Sequence, residues 1–109
     1  MEEKLYRKIS KVTLGKQQAD LVLKNLKLVD VFTGESVESN VAVKDGLIAG
    51  VSRSYRGKKE IDLNGQYLAP GFIDAHLHLE STMVTPNELV TAAALRGTTT
   101  FIVDPHEAA

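Results

Sequence analysis

Polar and apolar residues alternate along Phe72-Ile73-Asp74-Ala75-His76-Leu77-His78-Leu79-Glu80. In a β-strand successive side chains point to opposite faces. Asp74, His76, His78 and Glu80 then share one face, with Phe72 at its entry end, and Ile73, Ala75, Leu77 and Leu79 cover the other. Imidazoles and carboxylates gathered on one face of an otherwise apolar strand are costly unless they have partners. A divalent cation is such a partner, and two imidazoles at i and i+2 can converge on one ion. A His-x-His pair alone is weak evidence, because two histidines hydrogen-bonded in a half-buried strand have the same spacing. The Pro70-Gly71 entry, the alternation and the flanking acids favour the metal reading. A second polar cluster, Asp104-Pro105-His106-Glu107, follows a β-branched run. Its alternative is a strand-ending turn that carries a surface histidine.

The elements that would position these groups follow from local signals. Thr85-Pro86-Asn87-Glu88 fits a capping box, with Thr85 as N-cap, Pro86 at the first helical position and Glu88 reaching back. Leu89 to Arg96 continue the helix and Gly97 ends it. Thr98 to Val103 then read as a strand. Strand, helix, strand implies a crossover and a parallel pair. Chemistry in parallel sheets gathers at the carboxyl ends of strands. Neighbouring strands lie about 4.8 Å apart. His76 to Glu80 and Asp104 to Glu107 therefore open onto one site if the two strands pair.

Upstream of Pro70 the chain reads differently. Leu5, Ile9 and Val12 mark one face of an N-terminal helix, Lys4, Arg7, Lys8 and Lys11 its wet side, and Gly15 its stop. Ala19–Lys24, Leu26–Phe32, Val41–Lys44, Leu47–Val51, Lys59–Leu63 and Gln66–Ala69 read as short strands. Asp45-Gly46 and Asn64-Gly65 are strong hairpin signals, because type I′ turns need positive φ at both central residues. Short strands with tight turns predict a small antiparallel β-sandwich over residues 1–70, followed by a strand–helix–strand unit over 71–109. The basic stretch Arg53 to Lys59 is expected to be a solvated loop.

Composition bounds the function. The chain has 109 residues, 43% hydrophobic and 25% charged, which is ordinary for a globular protein. Thirteen basic residues against fourteen acidic ones give a formal charge of −1. That balance offers no electrostatic reason to expect nucleic acid or an anionic membrane as partner. There is no cysteine, which excludes disulfides and thiolate metal sites. The charged start lacks the apolar run of a signal peptide, and no stretch approaches the roughly 18 apolar residues of a membrane span. A cytoplasmic location is expected.

The segment Pro70-Gly71-Phe72-Ile73-Asp74-Ala75-His76-Leu77-His78, with its lead-up through Asp45-Gly46 and Asn64-Gly65, resembles the first barrel strand of the amidohydrolase superfamily and the small β-domain that precedes it. Leu79 to Pro86, with Gly97-Thr98-Thr99-Thr100 and Asp104-Pro105-His106-Glu107, resembles the bacterial adenine deaminases within it. The resemblance implies a small β-domain followed by the first βαβ unit of a (β/α)₈ barrel. It implies His76 and His78 as metal ligands, and Glu80, His106 and Glu107 as catalytic candidates beside Asp104, with no firm role for each. The implied cofactor is a divalent metal, manganese or iron ahead of zinc. The implied substrates are adenine and water, giving hypoxanthine and ammonia in purine salvage, and the implied whole enzyme is a homo-oligomer. A complete barrel needs about 250 residues, so the chain is expected to be an N-terminal fragment, inactive alone. The competing readings are a dihydroorotase-like or imidazolonepropionase-like amidohydrolase, and a non-catalytic β-rich interaction domain with structural histidines.

Overall fold

The computed structural model describes residues 1–52 and 54–104. His106 and Glu107 lie outside the described residues. Two compact units divide between Ala69 and Pro70.

The first unit begins with helix α1 (Glu3–Thr13). Val12 is buried, Ile9 packs beside it, and Gly15 follows at φ +71°. Burying a side chain the size of Val12 stabilises by about 2 kcal/mol. The helix lies against β2 (Ser36–Lys44) and β3 (Leu47–Ser52), and Thr13 Oγ1 donates to the Ala49 carbonyl. Ala19, Val22, Ala42 and Ala49 complete this small core, with Tyr55 packed against it. β2 and β3 form the antiparallel hairpin expected at Asp45-Gly46, whose φ values are +49° and +74°.

The rest of the unit departs from an antiparallel sandwich. The observed assembly is one mixed sheet of order β3-β2-β1-β4, with β5 (Tyr67–Leu68) also on β1. β1 (Ala19–Val29) is one long strand where two short ones were expected. It bends at Asn25, which takes φ +55° at a register shift between Leu23 and Leu26. On one edge β1 pairs antiparallel with β2, and on the other it pairs parallel with β4 (Gly57–Asp62) and then with β5. Asn64-Gly65 does turn with positive φ, but β4 and β5 do not pair with each other. Both follow β1 in succession, and the Gly65 amide donates to the Asn25 carbonyl across 2.7 Å at the bend. The physical reason is that alternation reports extended backbone and not its direction, whereas the long edge of β1 can take any strand delivered to it. Lys58 and Lys59, read as loop residues, are thereby part of β4.

Polar groups fasten the free end of this sheet. Lys44 is nearly fully buried and its ammonium donates to Asp20 Oδ1 across 2.7 Å, while the Asp45 amide donates to Asp20 Oδ2 across 2.9 Å.

The second unit contains β6 (Phe72–Leu77), a 3₁₀ turn (Leu79–Thr82), helix α2 (Pro86–Ala94) and β7 (Thr98–Val103). β6 and β7 pair in parallel with α2 between them in sequence. The capping box is present: Thr85 Oγ1 accepts from the Glu88 amide, and the Thr85 amide donates to Glu88 Oε2. Gly71 allows the two strands to close at their entry, since a Cβ there would meet Thr99 Oγ1 at 2.2 Å and Thr99 Cβ at 2.9 Å. Phe72, Ile73, Ile102 and Val103 are exposed on this pair. No helix among the described residues is long and apolar enough to cross a membrane.

Candidate metal centre

The candidate ligands sit where β6 runs out. His76 is on the strand, and His78 is the residue that enters the 3₁₀ turn. Glu80 belongs to that turn and not to the strand, so the expected row of four polar side chains on one strand face ends at His78. Extended geometry stops at Leu77 because the Ser81 amide donates to the His78 carbonyl and Thr82 Oγ1 to the Leu79 carbonyl, which curls the backbone. Alternation in the sequence continues past the point where alternation in space does.

The register explains how the imidazoles converge. Asp74 pairs with Phe101 and Leu77 with Val103, so three steps on β6 match two on β7. Such a bulge leaves an extra residue outside the ladder and re-aims side chains. Here the His76 amide donates to Asp74 Oδ1 across 3.1 Å. The two rings then meet edge to face, with centroids 4.8 Å apart and planes at 74°. Their Nε2 atoms stand 3.0 Å apart. His78 Nδ1 lies 2.9 Å from the Asp104 backbone carbonyl at the end of β7. Asp104 is held there because its own amide donates to the Leu77 carbonyl across 3.2 Å.

This donor set fits a divalent cation. Metal–nitrogen bonds are about 2.1 Å long, so one ion can reach two nitrogens at the observed separation. The carbonyl at His78 Nδ1 is the usual outer partner of a metal-binding histidine, fixing its tautomer and ring orientation. As a purely structural device the pair is poor, because His76 is exposed and a hydrogen bond in water adds little net stability. Among the described residues no group of three or more His, Cys, Asp and Glu side chains is placed to hold an ion. The structure thus brings together His76, His78 and the Asp104 backbone. Two features escaped the sequence reading, the bulge and the Asp74–His76 bond. The second had a faint signal, since an aspartate commonly takes the amide two residues on.

Comparison with known proteins places this geometry in context. Residues 67–109 match the amidohydrolase family. The chain is 54% identical over 107 residues to an adenine deaminase of Desulfitobacterium hafniense, covering 98% of this chain and 19% of the relative. It is 52% identical over 109 residues to that of Clostridium acetobutylicum, covering 18% of its length. The chain therefore spans about a fifth of the length of these curated relatives. Among solved structures, an L-hydantoinase (dihydropyrimidinase) from Arthrobacter aurescens superposes with a TM-score of 0.66 at 27% identity, covering 81% of this chain and 21% of that one. An N-acyl-D-glutamate deacylase from Bordetella bronchiseptica, solved with zinc and a phosphonate inhibitor, superposes with a TM-score of 0.65 at 26% identity, covering 80% of this chain and 19% of that one.

Proposed function

Residues 67–109 belong to the amidohydrolase family, and from that premise we propose that the chain supplies the N-terminal part of a metal-dependent adenine deaminase. The observation that carries the proposal is the pair of converging Nε2 atoms, 3.0 Å apart, within a chain 54% identical to an adenine deaminase. Residues up to Ala69 serve as a small β-domain, and β6, α2 and β7 as the opening of a (β/α)₈ barrel. The apolar side chains exposed on β6 and β7 suit strands that further sheet and helices cover, as parallel sheets require.

In this reading His76 and His78 hold a divalent metal, manganese or iron ahead of zinc. Bound there, such an ion supplies Lewis acidity that readies water for attack at neutral pH. The reaction is hydrolytic: water adds at the ring carbon bearing the amino group, ammonia leaves, and adenine becomes hypoxanthine. Asp74 holds the backbone of one ligand and Asp104 the ring of the other, so both nitrogens are placed before substrate arrives. Pre-placement matters because catalysis gains most from groups that need no reorganisation. Glu80, His106 and Glu107 are the candidates for moving the proton to departing ammonia. The whole enzyme works as a cytoplasmic homo-oligomer in purine salvage.

The hydantoinase-like alternative shares the metal site but only 27% identity. The test is direct. The protein that carries these residues together with the sequence following them in the relatives is loaded with manganese and given adenine or a dihydropyrimidine. Ammonia and hypoxanthine from adenine are expected. Ring opening of the dihydropyrimidine with adenine untouched would overturn the proposal.

A further inference from the structure

We infer that the Asp104 backbone carbonyl is a positioning group that fixes the tautomer of His78 and leaves His76 as the ligand that must change tautomer when an ion binds. The inference rests on the metal reading only for its second half. The first half follows from three contacts. A carbonyl can only accept, so His78 Nδ1, 2.9 Å from the Asp104 oxygen, carries the proton. A neutral imidazole has one N–H, so His78 Nε2 presents a lone pair. Across the 3.0 Å between the two Nε2 atoms, the donor must then be His76. The neutral pair is a one-way chain: His76 Nε2–H donates to His78 Nε2, and His78 Nδ1–H donates to Asp104.

The ladder makes this arrangement rigid at one end only. The register that slips at the bulge is restored at Leu77 and Val103, and the next amide, that of Asp104, donates to Leu77. The Asp104 carbonyl is therefore set by the β6–β7 pairing itself. His76 has its backbone held by Asp74, and its exposed ring is free to exchange protons with water. An ion held by both Nε2 lone pairs takes the place of the His76 Nε2 proton. That proton is lost to water and another is taken up at His76 Nδ1, so the neutral pair releases none overall. His78 keeps its tautomer throughout. The two ligands are thus unequal, one preset by β7 and one adjusting.

The experiment uses the 109-residue chain with ¹⁵N-labelled histidine, at about pH 8.5, where ordinary imidazoles are neutral. Long-range ¹H–¹⁵N correlation spectra of the rings, assigned with single histidine variants, report each tautomer. The expected result is Nδ1–H for His78 and Nε2–H for His76, with only His76 converting to Nδ1–H when zinc ion alone is added. His78 should keep Nδ1–H in His76→Ala, and also in His76→Gln should the first variant fold poorly. Finding His78 as Nε2–H, or averaging between tautomers in a chain with dispersed amide signals, would overturn the positioning role. An unchanged ring spectrum on adding zinc, with the metal-free tautomers as stated, would overturn the metal half alone.

Discussion

The Nε2 atoms of His76 and His78 face each other across 3.0 Å at the carboxyl end of β6. Regular strand geometry puts residues i and i+2 on one face but does not by itself aim their ring tips at one point. The aim comes from the bulge between Asp74 and Leu77, and from the Asp104 carbonyl that turns the His78 ring. The site therefore depends on the pairing of β6 with β7, and perturbing that pairing should be felt at the imidazoles.

Gly71→Ala tests that dependence. The added methyl would collide with the Thr99 side chain, including its Cβ, which cannot rotate away. Overpacking of this kind costs about 1–3 kcal/mol. The expected outcome is faster hydrogen exchange of the β6 and β7 amides, with the His76 and His78 ring signals displaced. Thr99→Gly in the same chain should restore much of the protection. Unchanged exchange in Gly71→Ala would show that the strands do not approach closely at this end.

Thr85→Ala removes the side-chain half of the α2 capping box, in which Thr85 accepts from the Glu88 amide. Loss of an N-cap costs about 1 kcal/mol. Amides from Leu89 to Ala94 should exchange about fivefold faster, because 1.4 kcal/mol corresponds to a factor of ten. Equal exchange rates in the two chains would mean that the cap does not limit helix opening.

Local signals of this kind were the legible part of the fold. The Thr85 capping box and the Asp45-Gly46 hairpin are set by residues a few positions apart, and the structure contains both. The partners of β1 were not legible, because β4 and β5 reach it from far along the chain and nothing local records that they arrive parallel. The site divides the same way. The His-x-His spacing marked the pair, while strict alternation misplaced Glu80, since hydrogen bonds to the His78 and Leu79 carbonyls end the strand first.

Acid should loosen the first unit, with a sign fixed by its carboxylates. The Lys44 ammonium, then the Asp45 amide, holds Asp20 below its ordinary value of 3.8. The amides of Phe32 and Thr33 do the same for Asp30, the Gly57 amide and then Lys24 for Glu60, and the Asn64 amide and then Asn25 for Asp62. A carboxyl lowered in the folded state adds stability that is complete above its unfolded value and is lost as pH falls through its folded one. Urea midpoints read by circular dichroism should hold level from pH 7 to about 5 and fall below about 4. Lys44, raised chiefly by its bond to Asp20, acts in the opposite sense, its contribution fading only as pH climbs past its ordinary 10.5. Asp20→Asn should lower stability at neutral pH and flatten the acid decline. A decline as steep as that of the parent chain would remove Asp20 from the explanation.

The central claim is that His76 and His78 are ligands of one divalent ion, and metal content tests it most directly. The polypeptide carrying these residues with the sequence that follows them in the relatives is dialysed against manganese, and bound metal is counted by atomic emission. His76→Ala and His78→Ala should each lose at least about tenfold in affinity, since removing one of very few ligands leaves the ion underbound. Thr85→Ala, altered in the same unit but not at the pair, should keep its metal. Full occupancy in either histidine variant, at a manganese concentration that just saturates the parent protein, would contradict the account.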